Sequence, residues 1–217
     1  MKNWPALIFA VMLCLFFAGC DTDDGTEPPP RGETEEETPF TGLTSIDDVN
    51  IYLYSAQGGQ SPDDPVELSV KISASELGRL FSQIRWSDKF VTLDISHCYD
   101  VTERFWYEMD NYGDKIVSMI LPEGITIIGA NVFADCASLE QITLPVSLTS
   151  IWDYAFYNCT SLTRVICRAT TPPTLPRTGA MFVFYNTPAN LNIQVPPASV
   201  AAYKAAWSDY ADIITGY

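Results

Sequence analysis

Histidine is almost missing from this sequence: His97 is the only one among 217 residues. A histidine-rich metal site is therefore excluded, and any Ser-His or Cys-His pair would have to rest on this one imidazole. Its place directly behind an alternating apolar run suits a surface or structural role instead. No glycine-rich loop leads into a helix pattern, which removes the usual phosphate cradle, and Gly58-Gly59 reads as a turn. No two cysteines stand in C-x-x-C spacing, so neither a zinc site nor a dithiol redox motif is written here. The adjacent carboxylates Asp23-Asp24 and Asp63-Asp64 lack such companions and read as solvated. Positive charge is scarce too: 12 Lys and Arg face 27 Asp and Glu, for a formal net charge of −15. That balance argues against nucleic acid and against docking on anionic lipid. Together these absences predict no catalytic residues, no metal and no cofactor.

The longest apolar run, Trp4 to Phe17, follows Lys2 and ends on the small residues Ala18 and Gly19 before Cys20. It falls short of the roughly 17 to 25 residues of a membrane-spanning helix, so residues 1–19 read as a signal peptide. Phe17-Ala18-Gly19-Cys20 resembles the bacterial lipobox, with Phe17 where leucine is commoner. The resemblance implies a lipidated Cys20 and a membrane anchor in the bacterial cell envelope, the outer membrane and cell surface included. Residues 20–42 follow with Pro28-Pro29-Pro30, Glu35-Glu36-Glu37 and few large apolar side chains. Such a segment cannot bury a core and reads as a disordered, extended tether.

A repeat dominates the rest. Ile116-Val117-Ser118-Met119-Ile120-Leu121-Pro122 aligns with Leu139-Glu140-Gln141-Ile142-Thr143-Leu144-Pro145 at a spacing of 23 residues. Ile128 maps onto Ile151, Phe133 onto Phe156, Cys136 onto Cys159 and Leu139 onto Leu162 at the same interval. A further copy starts at Leu162, and Phe90 to Ile95 fits as a divergent first one. A fixed period with apolar residues at set phases means coils that bury their inward side chains only by stacking on each other. Leu139, Ile142 and Leu144 should face in and Thr143 out, with Pro122 and Pro145 ending the strands.

These residues resemble the BspA-type leucine-rich repeat of bacterial surface proteins. The similarity runs from Phe90 to Tyr217 and includes the closing stretch Val195 to Asp212. It implies a repeat solenoid, mainly β with short helical turns, and a non-enzymatic binding or adhesion module. The partners implied are a host matrix protein or an envelope protein. An alternative from another class is a structural or assembly component that binds another membrane protein.

The flanks read as covers for the solenoid ends. Residues 90–195 form the expected solenoid, 43–89 an N-terminal cap or small β/α segment and 196–217 a C-terminal helical cap. In the first flank Val49, Ile51 and Leu53 alternate, as do Val66, Leu68, Val70 and Ile72, which predicts a β-hairpin across the loop Gln57 to Pro65. A helix should follow, with Ser73 and Glu76 as a capping box and Leu77, Leu80, Phe81 and Ile84 as its apolar stripe. In the last flank Val200, Tyr203 and Trp207 make one helical stripe behind Pro196-Pro197.

Two surfaces qualify as binding sites. The register predicts an outward column of Asp94, Ile120, Thr143 and Ile166, with Thr92, Ser118, Gln141 and Arg164 beside it. On the opposite side Trp152, Tyr154 and Tyr157 occupy phases held by Gly129, Asn131 and Ala134 one coil earlier. Core positions do not tolerate such a change of size, so these aromatics should be partly exposed, suited to a protein or a carbohydrate or to covering residues 172–192. Among Cys98, Cys136, Cys159 and Cys167, the second and third share a phase. Parallel side chains there stand about 4.8 Å apart, which favours buried thiols over a bridge.

Overall fold

A computed structural model describes residues 41–107, 113–176 and 182–217. The expected signal peptide, Cys20 and nearly all of the tether lie outside the described residues.

The first element corrects the predicted hairpin. Residues Ile46–Ser55 form helix α1, not a strand. Ser45 caps it, its Oγ accepting from the Asp48 N–H at 3.1 Å, and Asp47 and Asp48 sit in the first turn where the helix dipole favours acids. Ile46, Val49 and Leu53 fall on one helical stripe and are buried, whereas Ile51 is 68% exposed. The alternation of 49, 51 and 53 was therefore incidental to a spacing of three and four.

Strand β1 (Val66–Ser69) follows, then a capped turn and helix α2 (Leu77–Trp86). The predicted capping box is in place, with the Ser73 N–H donating to Glu76 Oε2 at 3.1 Å. Leu77, Leu80, Phe81 and Ile84 are all buried.

The chain then winds in coils. Strands β2 (Val91–Asp94), β4 (Ile116–Ile120), β6 (Gln141–Leu144), β8 (Arg164–Cys167) and β9 (Asn192–Val195) alternate with two-residue strands β3 (Arg104–Phe105), β5 (Ile127–Ile128) and β7 (Ser150–Ile151). After helix α3 (Val200–Ala206) the chain adds β10 (Ile214–Gly216). Two parallel sheets result: seven strands in the order β1-β2-β4-β6-β8-β9-β10, and three in the order β3-β5-β7. The large sheet thus runs past residues 90–195 on both sides, since each flank contributes a strand to it. Val117 is an extra residue where β2 meets β4, a bulge that accounts for one of the three residues by which the interval from Thr92 to Ser118 exceeds 23.

Between the sheets the repeat stacks like on like. The rings of Phe105, Phe133, Phe156 and Phe184 form a ladder at 5.6, 5.1 and 5.2 Å with interplanar angles of 13°, 2° and 6°. Phe133 and Phe156 are fully buried, as their shared phase requires. Thr126, Thr149 and Thr174 each donate a hydroxyl to a carbonyl of the coil before, at 3.1, 3.0 and 3.2 Å. Asn158 donates to Asp135, and Asn186 to Asn158. These three residues hold left-handed φ of 57° to 59°, where Asn and Asp are the favoured side-chain-bearing residues. At the far end Tyr203 and Trp207 are buried. The Tyr203 hydroxyl donates to Ala169 O at 2.7 Å and Trp207 Nε1 to Pro173 O at 2.8 Å.

Candidate binding surfaces

In a parallel sheet, residues that pair directly share a face, so the register defines what a partner meets. Asp94 pairs with Ile120, Ile120 with Thr143 and Thr143 with Ile166. The column continues to Ser69 on one side and to Gln194 and Thr215 on the other. Beside it run Glu67, Thr92, Ser118, Gln141, Arg164 and Asn192. Apart from Glu67, Arg164 and Thr215, which are exposed, these side chains are half-buried by their neighbours. Five of the polar ones are already held: Arg164 donates to Gln141 Oε1 at 3.3 Å, the Thr215 hydroxyl to Asn192 Oδ1 at 3.0 Å, and Asp94 Oδ1 accepts the Ser96 N–H at 2.9 Å. The face offers short polar groups around two isoleucines, and few of its long charged chains must be desolvated by a partner.

The aromatic side is larger than three residues. Trp152 meets Trp106 edge to face at 5.0 Å, and the Arg104 guanidinium lies 5.4 Å from one indole and 5.8 Å from the other. Trp106 precedes Gly129 by 23 residues, as Gly129 precedes Trp152. A Cβ on Gly129 would stand 2.7 Å from Trp106 Cε3, so the middle coil must lack a side chain for the indole to lie across it. Tyr154 stacks on Phe182 at 5.4 Å and Tyr157 on Tyr185 at 5.6 Å, so each tyrosine is partly covered by an aromatic of the following coil. They still reach solvent: Trp106, Tyr154 and Tyr185 are 45%, 37% and 51% exposed. Tyr154 also holds a φ of 58°, a conformation that costs a bulky residue on the order of 1 kcal/mol or more.

Residues 110–197 match the family described as BspA type Leucine rich repeat region, in six copies. The chain carries a BspA-type leucine-rich repeat. The match is narrower than the resemblance, which extends to Phe90 and Tyr217. No curated protein matches the chain. Leucine-rich repeats are, as a class, protein-interaction modules without catalysis of their own, and proteins with BspA-type repeats are often surface-associated. Among the described residues no helix is long and apolar enough to cross a membrane.

Inside the repeat the thiols serve packing. Cys98, Cys136, Cys159 and Cys167 are buried thiols that form no disulfide. Burial pushes the Cys159 thiol up to about 12, and its Sγ donates to Phe133 O at 2.9 Å. Burial likewise raises Cys167, whose Sγ lies 3.2 Å from the Tyr203 hydroxyl. Low-pKa, accessible thiolates are the reactive ones, and these have the opposite environment. His97 is exposed, with Nδ1 3.1 Å from the Ser96 hydroxyl.

Sequence reasoning missed Trp106, Phe182 and Tyr185. The signal for the first was present, because the 23-residue phase of Trp152 leads back through Gly129 to Trp106. The other two follow Tyr154 and Tyr157 by 28 residues, so a strict period passes them by.

Proposed function

We propose that this protein is a lipid-anchored component of the bacterial cell envelope that binds another protein through the outer face of its seven-stranded sheet, in the manner of an adhesin. The observation that carries the reading is the unbroken column from Ser69 to Thr215, with Ile120 and Ile166 among polar neighbours. Six strand spacings make the face ~29 Å long, and four-residue strands make it ~13 Å wide. That is less than the ~800 Å² per partner of a standard interface, so a single contact is weak and several anchored copies act together. The sequence around Cys20 supports the anchor. Cys20→Ser should release the protein from the detergent phase and abolish labelling by a fatty-acid precursor. Binding of the folded domain to extracellular matrix proteins should fall for Ile120→Glu with Ile166→Glu. Wild-type binding by that folded double variant overturns the strand-face assignment and favours a structural role in the envelope.

A second reading is favoured by two exposed aromatic sets, Trp106 with Trp152 and the strained Tyr154 with Phe182: platforms on which a carbohydrate stacks. Trp106→Ala with Tyr154→Ala should then remove glycan binding and leave matrix-protein binding intact.

A further inference from the structure

A cleft of about 390 Å³ opens at the N-terminal end of the large sheet, where its face meets its free edge. Its walls include Leu43, Tyr52 of α1, Glu67, Ser69, Thr92 and Asp94. In β1 the alternate residues serve the sheet. The Val66 N–H donates to Phe90 O at 2.8 Å and the Val70 N–H to Asp94 O at 3.0 Å. By the same alternation Glu67 and Ser69 turn their backbone groups outward, away from β2. Among the described residues only Leu43 pairs with that edge, its N–H donating to Ser69 O at 2.9 Å and its carbonyl accepting from the Lys71 N–H at 2.8 Å. Upstream of Leu43 the strand-like contact stops, and the cleft lies between Thr41-Gly42 and the edge. Among the described residues, the N–H and C=O of Glu67 and the N–H of Ser69 therefore face the cleft with no strand beside them.

The charge of the slot selects its occupant. Glu67 and Asp94 both stand on the outer face, two carboxylates at diagonal positions of neighbouring strands, and no basic side chain lines the cleft. Tyr52 supplies an aromatic wall. We infer that this cleft takes an extended, lysine- or arginine-bearing peptide segment of a partner protein, which adds to β1 as an eighth strand. Backbone bonds to Glu67 and Ser69 hold the segment, and its basic side chains lie against Glu67 and Asp94. This site does not depend on Ile120 and Ile166, although the two surfaces share Glu67, Ser69, Thr92 and Asp94.

The full chain is titrated with two acetylated, amidated hexapeptides, (Thr-Lys)3 and (Thr-Glu)3, with amide hydrogen exchange as the positional readout. The alternation places every charge of a docked peptide on one face. The lysine peptide should bind and slow exchange at Glu67 and Ser69, and the glutamate peptide should not. Glu67→Lys should reverse that preference. Ser69→Pro removes an N–H that points away from β2, so the sheet should persist while affinity drops by about tenfold or more. If Ser69→Pro does not fold, the Glu67→Lys reversal decides. Equal binding of both peptides, unchanged affinity in folded Ser69→Pro, or protection of the Ser69 amide before any peptide is added would overturn the site. Ile120→Ala with Ile166→Ala, which trims the apolar face without adding charge beside Asp94, should leave lysine-peptide affinity unchanged, which separates this inference from the strand-face reading. Loss of binding in that variant would move the peptide onto the face and refute the cleft.

Discussion

Residues 43–89 and the coils from Ile116 to Cys167 deliver strands to the same sheet by different means. In the coils a side chain is positioned by its counterpart one turn away: Phe133 lies under Phe156, and Asp135 accepts from Asn158. In the first region only β1 has a counterpart, with Val66 and Leu68 beside Val91 and Leu93, and the buried stripes of α1 and α2 have none. Repetition states each position several times, so an error in one copy is corrected by the next. A segment without repeats states it once, in a local pattern that can be read in two periods.

The contrast breaks most visibly at Phe156, which has a stacked ring on both sides. Phe156→Ala should cost about 3 to 5 kcal/mol in urea or thermal unfolding, a large part of the ~5 to 15 kcal/mol that holds an ordinary domain folded. A melting temperature within a degree or two of wild type would mean that the ladder does not carry the coils. In the non-repeating region, Leu53→Ala should cost about 2 to 5 kcal/mol while Ile51→Ala stays within about 0.5 kcal/mol. Equal losses at both positions would restore the strand reading.

A smaller effect appears in alkali. Burial raises the Cys159 thiol from its ordinary 9.0 to about 12. The folded state therefore favours the neutral thiol, and this stability is fully present below pH 9 and declines as pH rises through about 12. The slope from this one group is at most about 1.4 kcal/mol per pH unit. Unfolding of Cys159→Ala should show a shallower loss across that window, and an unchanged slope would place the effect on other groups. The smallest expected effect is at the start of α1, where Ser45→Ala removes the cap on the Asp48 N–H and should cost about 1 kcal/mol in chemical denaturation.

Much of the architecture was legible in the sequence because a period of 23 residues fixes which side chains meet. Thr143 between Ile120 and Ile166 could be placed before any coordinates. What escaped did so for physical reasons. The α1 stripe of Ile46, Val49 and Leu53 shares two members with an alternating pattern, and periodicity alone cannot choose between them. The aromatic cluster was legible only at Trp152, Tyr154 and Tyr157. Its remaining members sit across a side-chain-free glycine or beyond a lengthened coil. The β1 edge cleft left no mark at all, because backbone groups turned outward have no signature in residue type.

The phenylalanine ladder also bears on how such a chain can change its length. Each coil presents the next with a copy of the surface it receives, phenylalanine to phenylalanine and asparagine to asparagine. Duplication or loss of a 23-residue unit between β6 and β8 would rejoin matching faces, so the gene can lengthen or shorten the scaffold in whole steps without redesigning a joint. The pair of Trp106 and Trp152 obeys a stricter rule. It survives only while one coil, with glycine at its centre, lies between the two indoles, so that corner of the molecule counts its coils while the rest does not.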